Sequence, residues 1–243
     1  MTYIPVELSG TGGQGPWPLP VAGLRLPKLE RKEAVYFEPA VVDSIVAATP
    51  DAYECFIAVQ GVLGLRFGEA AALRRRAVDL LRRRIRVDES LAEVGGQLIF
   101  GPTKTHAQRT IPIPPPLVEA LQAHLITMPA SPDALLFTSA RGGPLRYSRF
   151  RPAVWAQTLA GIPLPYVGMH ALRHSAAARM IAAGWSPKAV QQVLGHSSAA
   201  FTLTVYGHLF DDNSDELAAR LISTALGPET DQVFPRDQSA AHS

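Results

Sequence analysis

Between His170 and Tyr206 the chain collects the side-chain types that phosphate chemistry needs. His170, Arg173, His174 and His196 can carry or share positive charge, and Tyr206 carries a phenol. A phosphodiester under attack spreads negative charge over its non-bridging oxygens, so catalysis is mostly positioning plus fixed positive charge. Arginine suits this because its planar fork donates two parallel hydrogen bonds and stays charged. Arg66 and Arg173 could clamp the two oxygens. Histidines can donate to the same oxygens or move protons near neutral pH, and a lysine such as Lys104 can protonate a departing sugar oxygen. Tyrosine is a poor nucleophile at its free pKa of about 10. Neighbouring cations and a histidine acceptor lower that barrier, and the product is a covalent phosphotyrosine. No metal or other cofactor is required, because the arginines supply the positive charge.

A zinc reading competes at one point. His170 and His174 are four apart, the spacing of paired ligands on one helix face. Against it, Ala171 stands where a metalloprotease helix needs its glutamate, and Arg173 places positive charge beside any metal. Taken singly, Arg66 reads as a turn arginine, Lys104 as a solvated hairpin lysine and Tyr206 as a half-buried tyrosine. Their combination carries the argument.

These residues need elements to hold them. Pro39 suits a first helical position, followed by the stripe Val42, Ile45 and Val46. Asp51 is the expected cap of a second helix running to Leu63, with Phe56, Val59 and Val62 on one face. Gly64 ends it and Glu69 begins the next helical run, which puts Arg66 at a tight helix junction. Arg84–Val87, a Gly95-Gly96 turn, Gln97–Phe100 and the segment Arg109–Pro114 predict a small β-structure, with Lys104 between the last two strands. Pro112 cannot donate to a ladder, so the last strand is an edge. Helices are expected over Pro116–Thr127 and Ser148–Leu159, with the apolar piece Leu135–Phe137 packed between them. Three more follow: His170–Ala183 ending at Gly184, one capped by Ser186 and ending near Gly195, and one from Ser197 or Ser198 that carries Tyr206. The fold class is therefore mostly α with a small antiparallel β-sheet (α+β).

Composition bounds the partners. The 243-residue chain is 47% hydrophobic, which is enough to bury a core. No apolar run reaches the ~18 residues that span a bilayer, and MTYIPVELSG is not a secretory signal, so no membrane association is expected. The lone Cys55 forms no internal disulfide, which fits the cytoplasm. Residues 61–110 hold ten Lys/Arg against five acids, and residues 141–151 hold Arg141, Arg146, Arg149 and Arg151 with no acid. Residues 211–243 hold two arginines against seven acids, so a basic body with an acidic tail suits a polyanionic ligand.

Arg66 in GLRFGEA, Lys104 in TKTHAQRTIPIP, His170 and Arg173 in HALRHS, His196 in LGHSS and Tyr206 in YGHLF occur in this order. Together they resemble the catalytic domain of tyrosine recombinases, the phage integrase family. The resemblance covers residues 35–210. It implies that Arg66, His170, Arg173 and His196 hold and activate a scissile DNA phosphate, with His170 as proton acceptor. It further implies that Lys104 is general acid to the leaving 5′-oxygen and that Tyr206 forms a 3′-phosphotyrosyl link. Glu69 matches an acidic position that supports the site, and His174 matches a common neighbour of the second arginine with no assigned chemistry. The implied partner is double-stranded DNA, with a homotetramer on two duplexes.

Ala70 stands where the family often has leucine, and the family's N-terminal clamp domain has no counterpart in residues 1–34, read here as an extended arm or linker. Residues 211–243 read as a C-terminal helix, with a capping box at Asn213 and Glu216 and an apolar stripe at Leu217, Leu221 and Ile222 that either docks on a neighbouring subunit or folds back on its own chain, followed by a disordered tail. A truncated DNA-binding remnant and a type IB topoisomerase are the rival readings. The LGHSS and YGHLF wording favours the recombinase.

Overall fold

The computed structural model describes residues 35–103, 108–164 and 166–210. The arm expected over residues 1–34, Lys104, and the helix, apolar stripe and tail expected over residues 211–243 lie outside the described residues.

Helix α1 (Pro39–Ala48) starts on its proline, and α2 (Asp51–Leu63) follows. Asp51 is not the cap that the sequence suggests. Pro50 occupies that position and Asp51 sits in the first turn, where its charge favours the helix dipole. Gly64 closes α2 in the left-handed conformation (φ 69°), and Arg66 becomes the residue before α3 (Phe67–Ala72).

The β-structure is two sheets rather than one. Strands β1 (Val78–Asp79), β2 (Arg84–Val87) and β5 (Arg109–Pro112) form an antiparallel sheet in the order β1-β2-β5, and β5 is an edge as Pro112 requires. Strands β3 (Glu89–Val94) and β4 (Gln97–Pro102) form a separate hairpin. Gly95 and Gly96 both have positive φ, which is the geometry of a two-residue hairpin turn. That turn forces Gln97 opposite Val94 and carries the register back to Glu89 opposite Pro102. Strand β2 is thus left to pair elsewhere. Its Ile85 and Val87 point into the core, while Arg84 and Arg86 face solvent.

Helix α4 (Pro115–Thr127) buries Leu117, Leu121 and Leu125, and Leu136 and Phe137 pack as the expected loop. The helix expected over Ser148–Leu159 forms as α5 (Tyr147–Phe150), a π-turn (Arg151–Trp155) and α6 (Ala156–Ala160). Pro152 has no N–H for the α ladder, which explains the widened turn. Then come α7 (His170–Ala182), α8 (Pro187–Leu194) and α9 (Ala199–Tyr206). Ser186 accepts from the Ala189 N–H and Ser198 from the Phe201 N–H, so both serine caps form as the sequence predicts.

The core is one cluster. Phe56 stands edge-on to Phe67, Phe137 and Phe150, tying α2 to α3 and α5. Close backbone approaches bring the site elements together. A Cβ on Gly64 would lie 2.4 Å from Leu194 Cδ2, and one on Gly68 would lie 2.4 Å from the Leu91 carbonyl. Helix α3 therefore presses on β3 while the end of α2 presses on the end of α8.

Candidate active site

Three chain junctions form the site: α2–α3, the end of α8, and the end of α9 against α7. At the first, Glu69 is 1% exposed and carries the arginines around it. Its Oε2 accepts from the Arg66 N–H (3.0 Å) and its Oε1 from Arg66 Nη1 (2.8 Å). Arg109 grips the same carboxylate with both ends of its fork, at 3.1 and 2.7 Å. Burial pushes the Glu69 carboxyl up, but hydrogen bonds and charge from Arg109 and Arg66 outweigh it and hold the group below its ordinary range. Arg66 also reaches the Gly195 carbonyl through Nη2 (3.3 Å), and Arg109 Nε donates to the Val193 carbonyl (2.7 Å). Two arginines thus stitch the α2–α3 junction to the C-terminus of α8.

Arg173 is 2% exposed, on the buried face of α7. It donates through Nη1 to the Gly64 carbonyl and through Nη2 to the Leu194 carbonyl, both at 2.7 Å. Both acceptors belong to helix ends, where carbonyls lack helical partners. No carboxylate pairs with Arg173 among the described residues. Burial lowers its pKa first and the neighbouring Arg66 charge second, to about 9, so it stays protonated at neutral pH. A guanidinium has five N–H groups, so donors remain for an anion.

Tyr206, the last residue of α9, is 1% exposed, and its hydroxyl lies 2.6 Å from His174 Nδ1. Burial pushes its phenol up to about 12, against a smaller lowering by Arg173. The Tyr206 ring stacks on His196, with centroids 6.2 Å apart and planes 14° from parallel. His196 sits just after the left-handed Gly195 (φ 66°) and shares a 2.9 Å hydrogen bond between Nδ1 and Thr202 Oγ1. Gln191 holds this turn by donating to the His196 carbonyl at 2.7 Å. His170 keeps one side open to solvent at the start of α7 and turns the other toward His174, which it meets edge-on at 4.8 Å.

All three histidines are pushed toward the neutral form. Burial is the main cause in each, followed by nearby positive charge: Arg173 then Arg66 for His170, His170 then Arg173 for His174, Arg173 then Arg66 for His196. His174 falls to about 4 and His196 to about 3. The site is therefore a cluster of fixed guanidinium charge beside a protonated phenol and neutral imidazoles, suited to an anion.

Of the residues predicted from sequence, Arg66, Arg173, His170, His196 and Tyr206 meet around the junctions of α2–α3, α7, α8 and α9. Lys104 lies outside the described residues. The expected hairpin around it does not form, since β4 and β5 belong to different sheets; the β3–β4 hairpin is anchored at its turn end, where Glu93 accepts from Ser148 Oγ (2.8 Å) and Arg146 Nη1 (3.3 Å). The tyrosine meets His174 and not His170, so the residue left without chemistry is the one in contact. Arg109 was missed. It lies 40 positions from Glu69 and opens a short strand with no spacing signal. His170 and His174 share a face as their spacing predicts, but His174 spends Nδ1 on Tyr206, and no cluster of three metal-ligating side chains occurs among the described residues.

Comparison with known proteins follows the same outline. The model of the phage integrase family matches residues 36–213. A protein described as the integrase of prophage phiRv2, from Mycobacterium tuberculosis (strain ATCC 25618 / H37Rv), is 33% identical over 200 residues, covering 79% of this chain and 52% of that protein. The tyrosine recombinase XerC of Mycobacterium bovis (strain BCG / Pasteur 1173P2) is 33% identical over 205 residues, covering 78% of this chain and 64% of that protein. The chain spans about half the length of the integrase relatives it matches. Among solved structures, the Tn1549 transposon integrase in complex with circular intermediate DNA shares the fold, with a TM-score of 0.68 at 24% identity, covering 79% of this chain and 68% of that one.

Proposed function

The chain belongs to the phage integrase family, and from that membership we propose that it is a site-specific DNA recombinase acting through a 3′-phosphotyrosine on Tyr206. One observation carries this reading. The buried Tyr206 hydroxyl meets His174 Nδ1, its ring runs nearly parallel to His196, and Arg173, held by two helix ends, is close enough to act electrostatically on the phenol. Arg66 and Arg173 supply charge to the scissile phosphate, and His170 and His196 donate to its oxygens. Tyr206 attacks the phosphorus, and Lys104 delivers a proton to the leaving 5′-oxygen. The phosphotyrosyl link keeps the bond energy, so a partner strand can be rejoined without ATP. The substrate is double-stranded DNA, tracked by the basic body of the chain. The working assembly is a homotetramer on two duplexes. No helix among the described residues is long and apolar enough to cross a membrane.

The test is a nicked duplex suicide substrate carrying a candidate attachment sequence, with covalent adduct read on a denaturing gel. The wild-type chain forms the adduct. Tyr206→Phe abolishes it and leaves duplex binding intact. An adduct that persists in Tyr206→Phe means another nucleophile and ends this reading.

A further inference from the structure

We propose that His174, and not His170, is the group that takes the phenolic proton when Tyr206 attacks. The proposal rests on the recombinase reading above and names a further catalytic residue for it. Three imidazoles cluster near the phenol, two of them beside its ring, and their geometry separates them. His196 runs nearly parallel to the tyrosine ring, with centroids 6.2 Å apart, commits Nδ1 to Thr202 Oγ1 and makes no hydrogen bond to the phenol. His170 contacts the edge of His174 and makes no hydrogen bond to Tyr206. His174 alone, among the described residues, reaches the hydroxyl, at 2.6 Å through Nδ1. A general base must stand within hydrogen-bond reach of the proton it abstracts, and this contact meets that condition. The phenol is protonated and donates, so Nδ1 accepts and the ring carries its hydrogen on Nε2.

The step balances as follows. The Tyr206 O–H bond breaks and the proton moves to His174 Nδ1. The phenolic oxygen forms a bond to the scissile phosphorus, the P–O5′ bond breaks, and the 5′-oxygen takes a proton from a separate donor. His174 becomes an imidazolium. The groups that face it are His170 and Arg173 on its own helix, Tyr206 on α9 and His196 at the α8–α9 turn. Arg173 opposes a second positive charge there, and a bound phosphate offsets that opposition. Tyrosine activation is therefore tied to substrate occupancy: without DNA the phenol keeps its proton.

The experiment is single-turnover adduct formation on two nicked duplexes, one normal and one with sulfur replacing the bridging 5′-oxygen. A thiolate leaves without needing a proton, so sulfur rescues loss of a general acid and does not rescue loss of the nucleophile's base. His174→Asn places an amide oxygen near the Nδ1 position, where it can accept the hydrogen bond but not the proton. The expected result is a fall of about 10²-fold or more on both substrates, with duplex binding and thermal unfolding unchanged. Lys104→Ala, run alongside, is rescued by sulfur. If His174→Asn unfolds, His174→Ala takes its place, with the rates on the two substrates as the criterion. A near-wild-type rate, rescue by sulfur, or the predicted pattern in His170→Asn but not in the His174 variant each overturns the proposal. A wild-type chain that forms no adduct on the normal duplex overturns the recombinase reading as well, a result distinct from a fast His174 variant.

Discussion

Arg173 donates to two carbonyls that belong to different helices, and this decides what a conservative change does there. Lysine carries the same charge but is a point donor on a flexible stem. It cannot satisfy the Gly64 and Leu194 carbonyls together at the 2.7 Å distances seen. Leaving one buried carbonyl unpaired costs about 1–3 kcal/mol, and losing one preorganised charge donor costs about 10²-fold in rate or more. Arg173→Lys is therefore expected to lower unfolding free energy in urea and to reduce adduct formation on the nicked duplex. Cleavage near the wild-type rate would mean that the guanidinium fork is dispensable. At this scale the sequence was half legible. Arg66, Arg173 and Tyr206 stood out because their types and order match a known chemistry. His174 and Arg109 did not, because their importance lies in whom they touch. The His174–Tyr206 hydrogen bond spans 32 positions and the Arg109–Glu69 pair spans 40, and neither distance leaves a periodic trace in the chain.

Helix ends were the most readable elements because each is written in local chemistry. Gly64, Gly184 and Gly195 all take the left-handed conformation, and Ser186 and Ser198 cap as their positions indicate. Strand β3 was illegible because Glu89, Ser90 and Glu93 hide its alternation, and only the two-residue turn at Gly95-Gly96 reveals its pairing. Gly195 shows how an element end shapes the site. A Cβ there would meet three guanidinium atoms of Arg109 at 3.0–3.3 Å. Gly195→Ala thus adds left-handed backbone strain of about 1–2 kcal/mol and also presses Arg109 away from Glu69. Gly184 has the same backbone sign (φ 80°) with nothing within 4 Å of its Cβ position, so Gly184→Ala carries the strain alone. Urea unfolding should show both variants destabilised, while single-turnover cleavage should fall only in Gly195→Ala. Equal cleavage in the two would detach the α8 terminus from the chemistry.

Over the whole molecule, the site gathers fixed guanidinium charge beside half-buried and buried imidazoles that no carboxylate pairs with among the described residues, and this ties stability to pH. His174 and His196 titrate at about 4 and about 3 in the folded chain, against an ordinary value of 6.5. Above pH 6.5 both folded and unfolded histidines are neutral, and they add no pH dependence. As pH falls below 6.5 the unfolded chain takes up protons that the folded chain refuses, so stability declines until the folded histidines protonate near pH 4 to 3. His196 is the more buried of the two, and its share of the loss is on the order of a few kcal/mol. Urea unfolding from pH 7.5 down to pH 4 should therefore lose stability more steeply in the wild-type chain than in His196→Asn, which keeps a hydrogen-bonding side chain but has no proton to bind. Parallel slopes would remove His196 from the acid response. A DNA phosphate bound as proposed would reverse the electrostatic part of this balance. Under the proposed function it would place negative charge beside Arg173, His170, His174 and His196, and the expected consequence is raised histidine pKa values and proton uptake on duplex binding. Calorimetry of duplex binding near pH 6 in two buffers of different ionisation enthalpy should detect that uptake as a buffer-dependent heat. A heat that is independent of buffer would place the phosphate away from the histidines, and with it the chemistry that the Tyr206 hydroxyl is positioned to do.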